Sequence, residues 1–113
     1  MKYTVTAALA AASLLAAAPA LAADSAELAL AKKSNCMACH TVAKKLVGPA
    51  YQDVAKKYAG DKNAAAKLVD RVKKGTAATG GEVWKMGSAM PANGSVKDDD
   101  VKKLVAWILA GAK

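Results

Sequence analysis

The two cysteines of this chain, Cys36 and Cys39, stand three positions apart, and its single histidine, His40, follows at once. Small domains that cannot build a large apolar core are usually held by a framework of disulfides. Here a bond between the only two thiols would close a tiny loop and restrain almost none of the unfolded chain. A disulfide scaffold is therefore excluded, yet a staple is needed. The chain has 113 residues, enough for one small domain, with two Trp, three Tyr and no Phe. Its 54% hydrophobic content is misleading, because much of it is alanine and much lies in the first 22 residues. Such a composition struggles to bury enough area to offset chain entropy. Something other than side chains should complete the core.

The start of the chain has the pattern of a secretory signal. Lys2 supplies the positive end, Ala7 to Ala18 is an apolar run broken only by Ser13, and Ala20-Leu21-Ala22 has the small-x-small form of a signal-peptidase site. The run is too short and too rich in alanine for a membrane anchor, which needs about 20 unbroken apolar residues. Residues 1–22 are thus expected to be removed after Ala22 or Ala23, leaving residues 23–113 as one exported, periplasmic, non-spanning domain. Loss of Lys2 lowers the formal net charge from +8 to +7. A cationic exported domain points to anionic protein partners, and export argues against nucleic acid.

The mature chain reads as all-α, with no strand pattern and no internal repeat. Asp24-Ser25-Ala26-Glu27 resembles a capped helix start, which predicts a first helix over about 25–38. Thr41 to Gly48 reads as loop, closed by Gly48-Pro49, and a short helix over about 50–58 follows. Asp61 is placed to cap a third helix bearing Leu68, Val69 and Val72 and stopping at Gly75. Residues 75–94 hold five of the eight glycines and show no sustained period. A loop of that length in a small domain usually has a task. Ser95 and Asp98 then open a last helix, with Val101, Leu104, Val105 and Ile108 along one face.

The string Cys36-Met37-Ala38-Cys39-His40 is the attachment pattern of a c-type haem: each sulfur bonds a vinyl-derived carbon, and the adjacent imidazole becomes the proximal iron ligand. A zinc site would need a fourth ligand, and the cysteines and histidine are all spent here. A thioredoxin-like dithiol would sit in a βαβ context, which this chain lacks. A large, flat hydrophobe also supplies the core that the absent Phe cannot. For the sixth iron position, no second histidine exists. Met1 leaves with the signal, and Met37 sits inside the attachment string. Met86 and Met90 remain, both in the glycine-rich loop; Met90 is favoured because Pro91 stiffens the backbone beside it.

At this point the chain resembles small bacterial class I c-type cytochromes, most closely the cytochrome c-551 type. The resemblance rests on Cys36 to His40, Val47 to Tyr51 with Asp53 to Ala55, Arg71-Val72-Lys73 before Gly75, Val83-Trp84, Met90 to Asn93, and Leu104 to Trp107. One departure is the segment from Gly75 to Met90, a few residues longer than in the family and without a proline-rich approach to Met90. The resemblance implies about four helices wrapped around one covalently attached haem, with His40 and Met90 as axial ligands and electron transfer through an exposed haem edge. It further implies that the Pro49 carbonyl supports the His40 ring, that Arg71 and Trp84 hydrogen-bond a haem propionate, and that Asn93 donates toward the Met90 sulfur.

The function expected is that of a monomeric periplasmic electron carrier and not an enzyme. The resemblance suggests acidic redox partners such as a quinol-cytochrome c reductase upstream and a nitrite reductase, terminal oxidase or cytochrome c peroxidase downstream. The alternative is a small haem enzyme or gas sensor with an open iron site, which would call for a distal acid-base group that the sequence does not offer. The lysine pairs are a further feature, and Lys44-Lys45, just past His40, is expected to lie near the haem edge.

Overall fold

The computed structural model describes residues 25–113; the expected leader over 1–22 and its cleavage point lie outside the described residues. Four α-helices follow in order: α1 Ala26–Lys33, α2 Tyr51–Lys57, α3 Ala64–Lys74 and α4 Asp98–Leu109, with a 3₁₀ turn at Cys36–Ala38 between α1 and α2. No strand occurs among the described residues.

Ser25 caps α1 by accepting the Leu28 N–H on its hydroxyl at 3.1 Å. Glu27 stands in the first turn and Lys32 and Lys33 in the last, each matching the sign of the helix dipole. The helix ends at Lys33, five residues before the expected boundary. The cause is Asn35, which takes a left-handed φ of 61° and turns the chain into the 3₁₀ segment that carries the cysteines. The expectation that Asp61 caps α3 is corrected too. Its carboxylate accepts the Asn63 N–H and pairs with Lys67, so an extra turn forms and the helix begins at Ala64 behind Asn63. Ser95 likewise does not open α4. The residue at its cap is Lys97, without a side-chain cap, and the three aspartates 98 to 100 face the positive end of the helix dipole.

Helix α4 is the centre of the domain, packed against α1, α2 and α3. Val101, Leu104, Val105 and Ile108 recur at helical spacing and are buried as expected, joined by Trp107. Leu104, Trp107 and Ile108 meet Ala31 of α1 and Tyr51 and Val54 of α2. Each large aliphatic side chain so buried contributes roughly 1.5–3 kcal/mol. The buried set is small for a domain of this length and is dominated by alanine and valine. Between the helices lies a pocket, and the long segment joining α3 to α4 forms part of its wall.

Candidate functional site

The pocket is open at its mouth and lined mainly by apolar side chains. Cys36, Cys39, His40, Met86 and Met90 all line it, as do Pro49, Arg71 and Trp84. Side chains that were scattered along the sequence are thereby gathered around one space.

His40 is buried, and its orientation is set by two contacts. Its Nδ1 lies 2.8 Å from the Pro49 carbonyl oxygen. A carbonyl can only accept, so Nδ1 carries the proton and, in the neutral ring, Nε2 keeps its lone pair. On its face the ring stacks on Tyr51, with centroids 5.0 Å apart and planes at 20°. Gly48 makes this arrangement possible: a Cβ there would stand 2.5 Å from His40 Cε1 and 2.8 Å from Nδ1. The loop closes tightly around the ring, with the Gly48 N–H donating to the Cys39 carbonyl at 2.7 Å.

Tyr51 is a hub that sequence reasoning named within a motif but gave no role. Besides stacking on His40 it meets Trp107 edge-on at 5.6 Å, and its hydroxyl lies beside the Cys36 sulfur. Burial first, and then the neighbouring Cys36, hold the Tyr51 hydroxyl well above the usual phenol range. Burial likewise pushes the Cys36 thiol up, only partly offset by Tyr51. A dithiol poised for redox chemistry shows the opposite direction.

The two candidate methionines are held very differently. Met90 exchanges two hydrogen bonds with Thr76: its N–H donates to Thr76 Oγ1 at 3.0 Å, and its carbonyl accepts the Thr76 N–H at 3.0 Å. Gly75, at φ 81°, lies directly against this segment, where a Cβ would be 2.9 Å from both the Met90 carbonyl oxygen and the Ala92 nitrogen. Further along, the Asn93 N–H donates to the Val72 carbonyl. Residues 90–93 are thus laid along the end of α3. Met86, by contrast, is tied only within its own loop, where the Glu82 carboxylate accepts the N–H groups of Met86 and Gly87.

The remaining expected residues are placed as follows. Arg71 lines the pocket and donates from Nη1 to the Gly81 carbonyl at 3.0 Å. The Trp84 ring also lines the pocket, with the Lys57 ammonium 5.2 Å from its centroid. Asn93 donates its side-chain amide to the Pro91 carbonyl at 3.1 Å. Gly48, Gly75 and Thr76 carry the site's geometry; sequence reasoning named the two glycines as loop and helix ends but gave none of the three a role at the site. The only signal for the glycines was their position at loop ends, and for Thr76 there was none.

Comparison with known proteins decides the relationship: the cytochrome c family model matches residues 22–112. The chain belongs to the cytochrome c family. It is 48% identical over 84 residues to cytochrome c-551 of Allochromatium vinosum, covering 74% of this chain and 84% of that protein. The crystal structure of wild-type cytochrome c552 from Nitrosomonas europaea aligns with a TM-score of 0.67 at 45% identity, over 74% of this chain and 98% of that one. Cytochrome c-551 of Stutzerimonas stutzeri is 39% identical over 110 residues, 97% of this chain and 98% of that protein. This cytochrome has the small all-α class I fold, its cofactor is one covalently attached haem with its iron, and its relatives are electron-carrier cytochromes.

The residues present fit that group. The pocket is lined mainly by apolar side chains, as a porphyrin face requires, and its donor set is two thiols, one imidazole with a free Nε2 and two thioethers. These are the ligand types that c-type iron takes. Arg71 and Trp84 add donors suited to carboxylates on the group's edge.

Proposed function

We propose that this cytochrome is exported to the periplasm and carries single electrons between respiratory redox proteins, with His40 and Met90 as the axial iron ligands. The observation that carries the reading is the 2.8 Å contact of His40 Nδ1 with Pro49, which leaves Nε2 as the ligating nitrogen in a pocket that Met90 also lines. Cys36 and Cys39 hold the haem covalently. Bound there, it supplies an iron that takes up or releases one electron. Pro49 fixes the imidazole tautomer and raises its basicity, Tyr51 and Gly48 fix the ring plane, and the Met90 thioether favours ferrous iron. Arg71 and Trp84 bind a propionate, and Asn93 uses its second amide hydrogen toward the Met90 sulfur.

Export as residues 23–113 is supported by the leader pattern over residues 1–22. Among the described residues no helix is long and apolar enough to cross a membrane. Partners are acidic redox proteins: a quinol-cytochrome c reductase as donor, and a nitrite reductase, terminal oxidase or cytochrome c peroxidase as acceptor. Leu46 and Val47 are exposed beside the pocket, and Lys44 and Lys45 stand next to them on the surface. Neither lysine makes an ion pair among the described residues. An apolar rim bordered by uncompensated positive charge suits encounter with an acidic surface.

The test is the rate of electron transfer to an acidic redox protein as salt rises. Most of the rate advantage should be gone by about 0.15 M, where the Debye length has fallen to roughly 8 Å. Exchange of Lys44 and Lys45 for Glu should slow transfer more than the same exchange at Lys102 and Lys103. A rate indifferent to salt and to both exchanges would leave docking to the apolar rim alone.

A further inference from the structure

Thr76 makes more backbone connections than any neighbour in the segment between α3 and α4. Its N–H and its hydroxyl both engage Met90, while its carbonyl accepts the N–H groups of Thr79 and Gly81 at 3.2 and 2.8 Å. The glycine-rich loop therefore hangs on one side of Thr76 and the Met90 segment on the other. The residue is half-buried and lines the pocket itself. Gly75 before it is buried, and the absence of a side chain there lets the two strands of the segment touch.

We propose that Thr76 is the positioning residue for the Met90 thioether, holding its backbone so that the sulfur stays on the iron. The proposal rests on the reading of Met90 as axial ligand. Its physical basis is that a long unbranched side chain is fixed only as well as its backbone, and both hydrogen bonds of the Met90 backbone go to Thr76. That backbone lies in neither helix nor strand, and its N–H has no partner but the Thr76 hydroxyl. An external ligand that replaces the thioether needs the volume that the Met90 side chain fills. In this proposal the ligand is admitted when the 88–91 segment lifts from Thr76, which breaks both hydrogen bonds. The hydroxyl thus sets the fraction of molecules in which the sixth position is open, and apparent affinity for an external ligand follows that fraction.

Imidazole added to the ferric, haem-loaded protein is the probe, and loss of the near-infrared sulfur-to-iron absorption band is the readout. Thr76→Val keeps the shape and removes the acceptor. It should bind imidazole about fivefold more tightly than the native protein, the weight of one hydrogen bond. Thr76→Ser should return to the native value. Far-UV circular dichroism over the same titration should not change, which separates lifting of the segment from unfolding. Should the Val variant not fold, amide hydrogen exchange in the native protein gives the second reading. The Met90 N–H should exchange more slowly than those of Ser88 and Ala89, for which no hydrogen bond is made.

Equal imidazole affinity in native and Val proteins would overturn the proposal, and so would a Ser variant as weakened as Val, or a freely exchanging Met90 amide. A Met90→Ala control separates the two layers of inference. If it abolishes the band while Thr76→Val changes nothing, Met90 is the ligand and Thr76 does not position it. If Met90→Ala keeps the band, the ligand reading itself has failed.

Discussion

Met86 and Met90 are only four residues apart and both border the pocket, so the chemistry of the thioether does not choose between them. The backbone does. Met90 is tied across fourteen positions to Thr76 and pressed on Gly75, whereas Met86 is tied to Glu82 within its own loop. A ligand held across the segment changes position less when iron gains or loses an electron. Met90→Ala should abolish the near-infrared band of the ferric protein, open the iron to carbon monoxide and lower the potential, since a soft thioether favours the ferrous state. Met86→Ala should leave all three readouts near native values; the reverse pattern would move the ligand into the longer loop. At this scale the attachment string was plain in the sequence because its chemistry is contiguous: Cys36, Cys39 and His40 need no fold to be recognised together. Gly48 and Thr76 were not legible, because the atoms that give them meaning, the His40 ring and the Met90 backbone, arrive only when the chain has closed on itself.

Among the elements, the buried face of α4 and the Ser25 start of α1 were legible, and the starts of α3 and α4 were not. Four apolar residues at helical spacing identify a buried face wherever it packs. A helix start depends on local competition, and here tertiary bonds win it. The Lys73 ammonium, at the end of α3, donates to the Gly94 and Val96 carbonyls at 3.2 and 2.7 Å and pairs with Asp98 at 2.8 Å. That clasp, and not a Ser95 cap, positions the start of α4. The hydrogen bond from Lys73, with its charge, holds the exposed Asp98 carboxyl below the ordinary carboxylate range. A depressed folded-state pKa contributes stability that is present above the unfolded value and is lost as pH falls through the folded one. Lys73→Met should lower the thermal midpoint at neutral pH by several degrees, chiefly through the two carbonyl hydrogen bonds, worth about 2 kcal/mol together. The gap to the native protein should narrow below the carboxylate range, where Asp98 is protonated in both, without closing. A gap independent of pH would show that the ion pair contributes nothing.

On the scale of the whole molecule, the composition and the pocket describe one fact from two sides. A domain without Phe buries mainly alanine, valine and the α4 stripe, and it leaves an apolar-lined space among its helices. The haem supplies the missing core as well as the redox centre, so folding and function share one group. The all-α class was readable from helical spacing with no strand pattern, and the need for a filling group from length and residue content. The way the segment between α3 and α4 closes the pocket was not, because its hydrogen bonds join residues that no local pattern relates. The most direct measurement is the intact mass of the protein taken from the periplasmic fraction and treated with acid and acetone. The account predicts a single species equal to the chain from residue 23 or 24 onward plus one haem, with the colour retained by the protein. A bare-chain mass, with the haem released into the acetone, would contradict it.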